Sequence, residues 1–221
     1  PQVVLDMPAN SAINVHPSLL PQYRGAAPIN WAIINGDTVT GISIIRLNVR
    51  MDAGDVIARS EVAIRPEDNA VSLRARMITA GQELLGGTIE KIQTQTIVAE
   101  PQDPGRVSLA PKLTKELGCV RWREQTAEKI HNLARGLMPW PTAYTTFQGK
   151  TIKLLATSIR PEALPAGVPG EIVRVDKSGI TVAAQAGAVS IHQLLPESSK
   201  PMSADEFVRG YHVRAGQRLG E

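Results

Sequence analysis

The pattern of apolar and polar positions predicts a mixed α/β region in the first half of the chain. Two segments alternate with period two and are rich in β-branched residues, which predicts strands, and a shorter apolar segment precedes them. Two further segments have the spacing of amphipathic helices. The predicted strands are residues 12–16, 40–47 and 56–64, and the predicted helices are residues 28–35 and 70–92. The second and third strands flank a turn at residues 48–55, which predicts a hairpin or two strands around a functional loop.

The second half predicts a different architecture. An amphipathic helix over residues 125–137 precedes about five short strands separated by turn signals, which is typical of a small OB-like β-barrel. The predicted strands are residues 143–147, 150–158, 170–175, 179–184 and 189–195. Ser203 and Glu206 have the spacing of a capping box and predict a last short helix. The fold class is therefore α/β plus β, with domains at 1–95 and 112–221 and a proline-containing linker at 96–111.

Composition excludes several classes of protein. The 221 residues are 43% hydrophobic, which is sufficient for a packed core. No long apolar run or signal peptide is visible, so neither a membrane span nor secretion is expected. The single cysteine, Cys119, excludes an internal disulfide and fits a reducing, cytoplasmic compartment. The four histidines are far apart, so no metal site is predicted.

Charge is distributed unevenly along the chain. Residues 1–111 contain 9 Lys/Arg and 11 Asp/Glu, a balance of −2, whereas residues 112–221 contain 15 and 10, a balance of +5. A neutral-to-acidic half joined to a basic half indicates one part for chemistry and one for a polyanion. The alternative is a basic, solvated surface without a partner.

Three polar residues form the candidate site. Asn14 and His16 are two residues apart on a predicted strand, so their side chains point to one face. Asp52 lies in the turn before the third strand, with Asp55 as a competitor for the same role. An amide, an imidazole and a carboxylate can together polarise a carbonyl and move protons. The alternative is a strand end with satisfied backbone groups and an ordinary turn.

The residues around this site resemble the 10-formyltetrahydrofolate-dependent formyltransferases. The matching motif is Asn14-x-His16-x-Ser18-Leu19-Leu20-Pro21, followed by Arg24-Gly25-Ala26-Ala27-Pro28 and by Asp52 in an Asp-Ala-Gly turn. Three segments in the second half are similar to the members of the family that act on methionyl-tRNA. These segments are Lys112–Trp122, Pro139–Tyr144 and Met202–Phe207.

The resemblance implies a fold, a reaction and its partners. It implies the C-terminal half of a Rossmann-like catalytic domain, with about 90 further family residues upstream of Pro1 that this chain lacks. It implies formyl transfer from 10-formyltetrahydrofolate to the amino group of initiator methionyl-tRNA in translation initiation. It also implies a monomer that uses no metal ion and does not bind a membrane. Two alternatives stay open: a catalytically incomplete chain that only binds tRNA, and a related enzyme whose acceptor is water or an amino sugar.

The resemblance also assigns roles to residues. Asn14, His16 and Asp52 are the expected catalytic groups, with Asn14 and His16 as oxyanion donors and His16 also as a proton relay. The expected wall of the folate site consists of Ser18, Leu19, Leu20 and Pro21, which could equally serve only as the exit from the strand. The candidate tRNA-binding residues are Lys112, Lys115, Arg121, Arg123, Lys150 and Lys153. Arg24 could bind a phosphate or the folate tail, or pair with a carboxylate, and Trp122, Trp140 and Phe147 are expected in the core.

Overall fold

The computed structural model describes residues 2–5, 7–8, 12–160, 167–177 and 179–221. Contacts divide the chain into two compact units. The first contains residues 1–33 and 37–112, and the second contains residues 34–36 and 113–221. None of the helices in the described ranges is both long enough and apolar enough to cross a membrane.

The chain up to Lys112 forms a small α/β layer. Its elements are α1 (Gln2–Leu5), β1 (Ile13–His16), β2 (Arg24–Gly25), α2 (Pro28–Ile34), β3 (Val39–Arg46), β4 (Val56–Ala63), α3 (Ala70–Gln93) and β5 (Leu109–Ala110). The main sheet has the order β1-β3-β4, and both pairings are antiparallel. The predicted hairpin is thus confirmed as β3 and β4.

Helix α3 packs against the sheet. Its apolar residues recur at the spacing of an α-helix, so they form one continuous apolar face. Asn69 is its N-cap and forms a capping box with Ser72, which satisfies the first free amides of the helix. Leu73 and Met77 are almost fully buried and pack with Ile42 of β3 in the core of the first unit. The long helix predicted from periodicity is therefore confirmed, within one residue at its end.

The segment predicted as a linker contains ordered structure of its own. Leu109 and Ala110 form β5, which pairs in parallel with Arg24 and Gly25 of β2. This pairing places residues 102–110 alongside the chain that follows β1. It brings a distant segment next to the candidate site.

The described residues of the second unit form an open sheet with the α-helices α4 (Ala127–Gly136) and α5 (Ala204–Tyr211). The strands are β6 (Ala143–Phe147), β7 (Lys150–Arg160), β8 (Ile172–Asp176), β9 (Gly179–Ala183), β10 (Ala188–Pro196) and β11 (Met202–Ser203). The strand order is β6-β7-β10-β9-β8, with β11 paired to β10. The capping box of Ser203 and Glu206 begins α5 as predicted.

The OB-like barrel is not confirmed, because no ladder among the described residues joins β6 to β8. The C-terminal segment bonds to both of these edges instead. Arg218 forms a bridge with Glu171, and the Gly220 amide donates to the Thr146 carbonyl oxygen at 2.8 Å. A short irregular segment therefore satisfies backbone groups that strand-to-strand pairing would satisfy in a closed barrel.

The tryptophans of the second unit differ in burial. Trp122 and Phe147 are 4% and 3% exposed and belong to the core, as expected. Trp140 is 52% exposed, so its predicted core position is wrong. The reason is the turn between α4 and β6, in which the Thr142 amide donates to the Leu137 carbonyl oxygen and the Thr142 hydroxyl donates to that of Pro139. This turn leaves Trp140 at its outer edge.

Candidate active site

Strand β1 brings the first two candidate residues together. Asn14 lies opposite Ile45 and His16 lies opposite Ser43 in the ladder with β3. The His16 side chain is 4% exposed, whereas Asn14 is half-buried. No other described residue forms a hydrogen bond with the Asn14 side chain, so its amide is available to a ligand.

The two ring nitrogens of His16 have different surroundings. Nε2 lies 3.0 Å from the carbonyl oxygen of Tyr23. A carbonyl oxygen can only accept, so Nε2 carries a hydrogen in both the neutral and the charged ring. Nδ1 lies 3.6 Å from Oδ1 of Asp52, which is too long for a direct hydrogen bond. In the neutral ring, Nδ1 is therefore the basic nitrogen, and it faces a carboxylate.

The turn between β3 and β4 places Asp52 at this position. Asp52 has a left-handed backbone with φ of 54°, and its Oδ2 accepts a hydrogen bond of 2.9 Å from the Gly25 amide. Gly54 is required in the same turn, since a Cβ there would overlap the carbonyl oxygen of Arg46. Asp55, the competitor for the same role, is exposed to solvent, and Asp52 is the carboxylate that faces His16.

Gln102 connects the turn to Arg24 and was missed by sequence analysis. Its Nε2 donates to the carbonyl oxygens of Asp52 and Gly54, at 2.8 and 2.7 Å. Its Oε1 accepts from Nε and Nη2 of Arg24, at 3.1 and 2.7 Å. No local pattern could have identified Gln102, because it lies in a polar segment with several glutamines and prolines nearby.

The segment Ser18–Pro21 mainly supports the exit from β1. The Ser18 hydroxyl is fully buried and donates to the Gln22 carbonyl oxygen at 2.5 Å. Ser43 Oγ donates to the Ser18 carbonyl oxygen and accepts from the Leu20 amide, at 2.7 and 3.0 Å. Of the four residues expected to form the folate wall, Leu19 alone is not buried. A folate contact by this segment therefore stays a prediction that involves Leu19 and the backbone.

The basic candidates of the tRNA interface lie on strand β7 and on the segment before α4. Lys150 and Lys153 lie on β7, where Lys153 pairs with Tyr144. Lys115, Arg121 and Arg123 lie before α4 and are exposed. Arg121 pairs with Glu124 at 3.3 Å, whereas the other candidates, including exposed Lys112, form no ion pair with a described residue.

No group of three His, Cys, Asp or Glu side chains with the arrangement of a metal site occurs within the described ranges. The described side chains that meet at the site are an imidazole and a carboxylate, with backbone groups and Gln102 around them and the Asn14 amide on the same strand as the imidazole.

Comparison with known proteins identifies the family. Residues 1–89 match the family described as formyl transferase, and residues 112–212 match the formyl transferase C-terminal domain. A methionyl-tRNA formyltransferase of Geobacter metallireducens is 42% identical over 220 residues, which cover 100% of this chain and 70% of that protein. The chain belongs to the methionyl-tRNA formyltransferase family. A methionyl-tRNA formyltransferase of Acetivibrio thermocellus is 41% identical and is covered over 71% of its length.

Solved structures show the same fold. HypX from Aquifex aeolicus in complex with tetrahydrofolic acid has a TM-score of 0.70 and 21% identity. The comparison covers 93% of this chain and 36% of HypX. The fold of this chain therefore corresponds to part of a longer chain.

Proposed function

We propose that this chain transfers the formyl group of 10-formyltetrahydrofolate to the amino group of initiator methionyl-tRNA, and so acts in translation initiation. The observation that carries this proposal is the arrangement of His16 between the Tyr23 carbonyl oxygen and the Asp52 carboxylate. Membership of the methionyl-tRNA formyltransferase family supports the donor and the acceptor.

The chemistry requires a donor for a developing oxyanion. Attack of the amine on the formyl carbon forms a C–N bond and a tetrahedral intermediate whose oxygen is negatively charged. The Asn14 amide has no hydrogen-bond partner among the described residues, so it can donate to this oxygen without losing another bond. Asn14 is therefore the proposed oxyanion donor.

The chemistry also requires a path for one proton from the amine to N10 of the folate. Nδ1 of neutral His16 accepts this proton, and the resulting imidazolium is stabilised by the Asp52 carboxylate and the Tyr23 carbonyl oxygen. The proton then passes to N10 as the C–N10 bond breaks. Of the two roles expected for His16, the geometry favours the proton relay, because the Nε2 hydrogen is directed to Tyr23.

The second unit is the proposed tRNA-binding part. Residues 112–221, all of which except Lys112 belong to this unit, have a basic balance of +5 that suits a phosphate backbone, and several lysines on its surface have no acidic partner among the described residues. This balance also favours the second candidate function, a module that binds tRNA without turnover. It disfavours water or an amino sugar as the acceptor, because neither explains the excess of positive charge.

One assay separates the two candidates. The chain is mixed with 10-formyltetrahydrofolate and charged initiator tRNA, and formyl-methionine is measured after hydrolysis of the ester. Formation of formyl-methionine that disappears in His16→Gln supports the transferase. A salt-dependent shift of tRNA without product supports the binding module, and absence of both contradicts the proposed acceptor. Sedimentation of the same sample tests the expected monomer.

A further inference from the structure

The guanidinium group of Arg24 is linked through Gln102 to the Asp52 turn. Arg24 is half-buried, and its Nε and Nη2 donate to the neutral Oε1 of Gln102. No described carboxylate forms an ion pair with it. A guanidinium has five N–H donors, so Nη1 and the second hydrogen of Nη2 remain available as a two-pronged edge. This is the geometry that binds the two oxygens of a phosphate or a carboxylate.

The position of Arg24 is set by its neighbours. The next residue, Gly25, donates its amide to Oδ2 of Asp52 at 2.9 Å, and Gln102 donates to the carbonyl oxygen of the same aspartate. Strand β2 pairs with β5, and a Cβ at Gly25 would come within 2.6 Å of the Ala110 carbonyl oxygen. The backbone around Arg24 is therefore held closely, and Gln102 holds the side chain. An arginine that is oriented before binding loses little conformational entropy when an anion arrives.

The free-energy cost of partly burying the Arg24 guanidinium without an acidic partner indicates that an anionic ligand binds there. Partial burial of a guanidinium without a counter-charge is unfavourable, and Gln102 supplies hydrogen bonds to a neutral acceptor but no negative charge. The acceptor in the proposed function is an amino acid esterified to the terminal nucleotide of an RNA. Only the ester and one ribose separate this amino group from the phosphate of the terminal nucleotide, so an amino group at His16 and Asp52 would bring that phosphate near the same turn.

We propose that Arg24, oriented by Gln102, binds a phosphate of the single-stranded acceptor end of the tRNA beside the Asp52 turn. This inference rests on the proposed function and names the contact that would anchor the reacting end. It assigns Gln102 as a positioning residue that holds both Arg24 and the backbone of Asp52.

The test is the salt dependence of tRNA binding. Binding of initiator tRNA to the whole chain is measured by fluorescence anisotropy between low and moderate salt, for wild type and for Arg24→Gln. Loss of one phosphate contact is expected to weaken binding about tenfold at low salt and to reduce the slope of log K against log salt by about 0.7–0.9. Arg24→Lys retains the charge and is expected to retain the slope while losing part of the affinity.

The matched control is Arg59→Gln. Arg59 lies on β4 of the same unit and already pairs with Glu100 at 2.9 Å, so the same loss of charge is expected to change the slope by less than the error. Thermal unfolding of each variant reports any structural effect, which would change the melting temperature but not the slope.

Two results would overturn the inference. One is an unchanged slope and affinity in Arg24→Gln while wild type binds tRNA. The other is weaker binding of polyglutamylated tetrahydrofolate with unchanged tRNA binding, which would assign Arg24 to a carboxylate of the folate tail. If wild type itself binds no tRNA, the proposed function fails and not merely this contact.

Discussion

The Nε2 atom of His16 lies 3.0 Å from the carbonyl oxygen of Tyr23, seven residues further along the chain. The backbone of Tyr23 has φ of 61°, its amide donates to Ser108 Oγ, and its hydroxyl donates to Asp37 at 2.6 Å. These contacts position the carbonyl oxygen and thereby determine which ring nitrogen of His16 carries the hydrogen. They leave Nδ1 as the base that faces Asp52.

Replacing Asp52 with Asn should lower the rate of formyl transfer about 10²–10⁴-fold. The amide oxygen of Asn can still accept from the Gly25 amide, but the variant lacks the charge that stabilises the His16 imidazolium. Single-turnover formylation measures this change. The matched control is Asp55→Asn, an exposed position three residues later, for which we expect a rate within twofold of wild type. Equal losses in the two variants would contradict the role of Asp52.

Replacing Asn14 with Ala should lower the rate about 10²–10³-fold and leave stability almost unchanged. The side chain is half-buried and has no hydrogen-bond partner among the described residues. Its loss therefore removes the hydrogen bond to the oxyanion of the intermediate and no bond that holds the fold. Rate and melting temperature are measured on the same sample. Near-normal turnover would exclude Asn14 as the oxyanion donor.

His16→Ala should differ from Asn14→Ala in its effect on stability. His16 is 4% exposed and bonded to Tyr23, so its removal takes away a buried hydrogen bond and costs about 0.5–1.5 kcal/mol of stability as well as activity. Urea unfolding of the two variants tests this contrast. Equal free energies of unfolding would show that the His16–Tyr23 bond contributes nothing to the fold.

Gly54→Ala should reduce both stability and activity, because its Cβ would overlap the Arg46 carbonyl oxygen and displace the turn that holds Asp52. Gly86→Ala on α3 is the matched control. No atom lies within 4 Å of the position of its Cβ, so this change should stabilise the helix by about 0.5–1 kcal/mol. Thermal unfolding and formylation are measured for both. An active, stable Gly54→Ala variant would contradict the geometry of the turn.

The second unit should lose stability in mild acid through His131. Burial, together with the positive charge of Arg135 and the nearby His192, lowers the pKa of His131 from 6.5 to about 4. Its Nδ1 lies 2.8 Å from the Thr157 hydroxyl. Between pH 6.5 and 4 the unfolded chain binds more protons than the folded one. The contribution of neutral His131 to the free energy of unfolding is therefore fully present above pH 6.5, decreases as the pH falls and is lost below about pH 4.

The size of this effect is about 1–2 kcal/mol after allowance for partial exposure of the ring. Urea unfolding between pH 4 and 7.5 measures it, and His131→Gln should show a flatter dependence than wild type over the same range. Identical pH profiles would show that His131 is not the group responsible.

Local sequence was sufficient for most elements. The helices α3, α4 and α5 and the strands β3, β4 and β6 to β10 follow from periodicity and turn residues, because these signals arise from neighbours along the chain. The spacing of Asn14 and His16 on one strand is equally local. The family resemblance added Asp52 by motif, which periodicity alone could not select over Asp55.

Tertiary structure decided the rest of the site. Gln102 meets Asp52 across 50 positions and Arg24 across 78, and His16 is positioned by the backbone of Tyr23. Every residue has a carbonyl and nearly every residue has an amide, so residue type does not indicate which backbone groups will meet. Backbone hydrogen bonds of this kind also lead to the exposure of Trp140 and to the bonding of the C-terminal segment to two sheet edges. By itself the sequence determined the elements and the three reactive side chains, whereas long-range backbone pairing decided the orientation of each group.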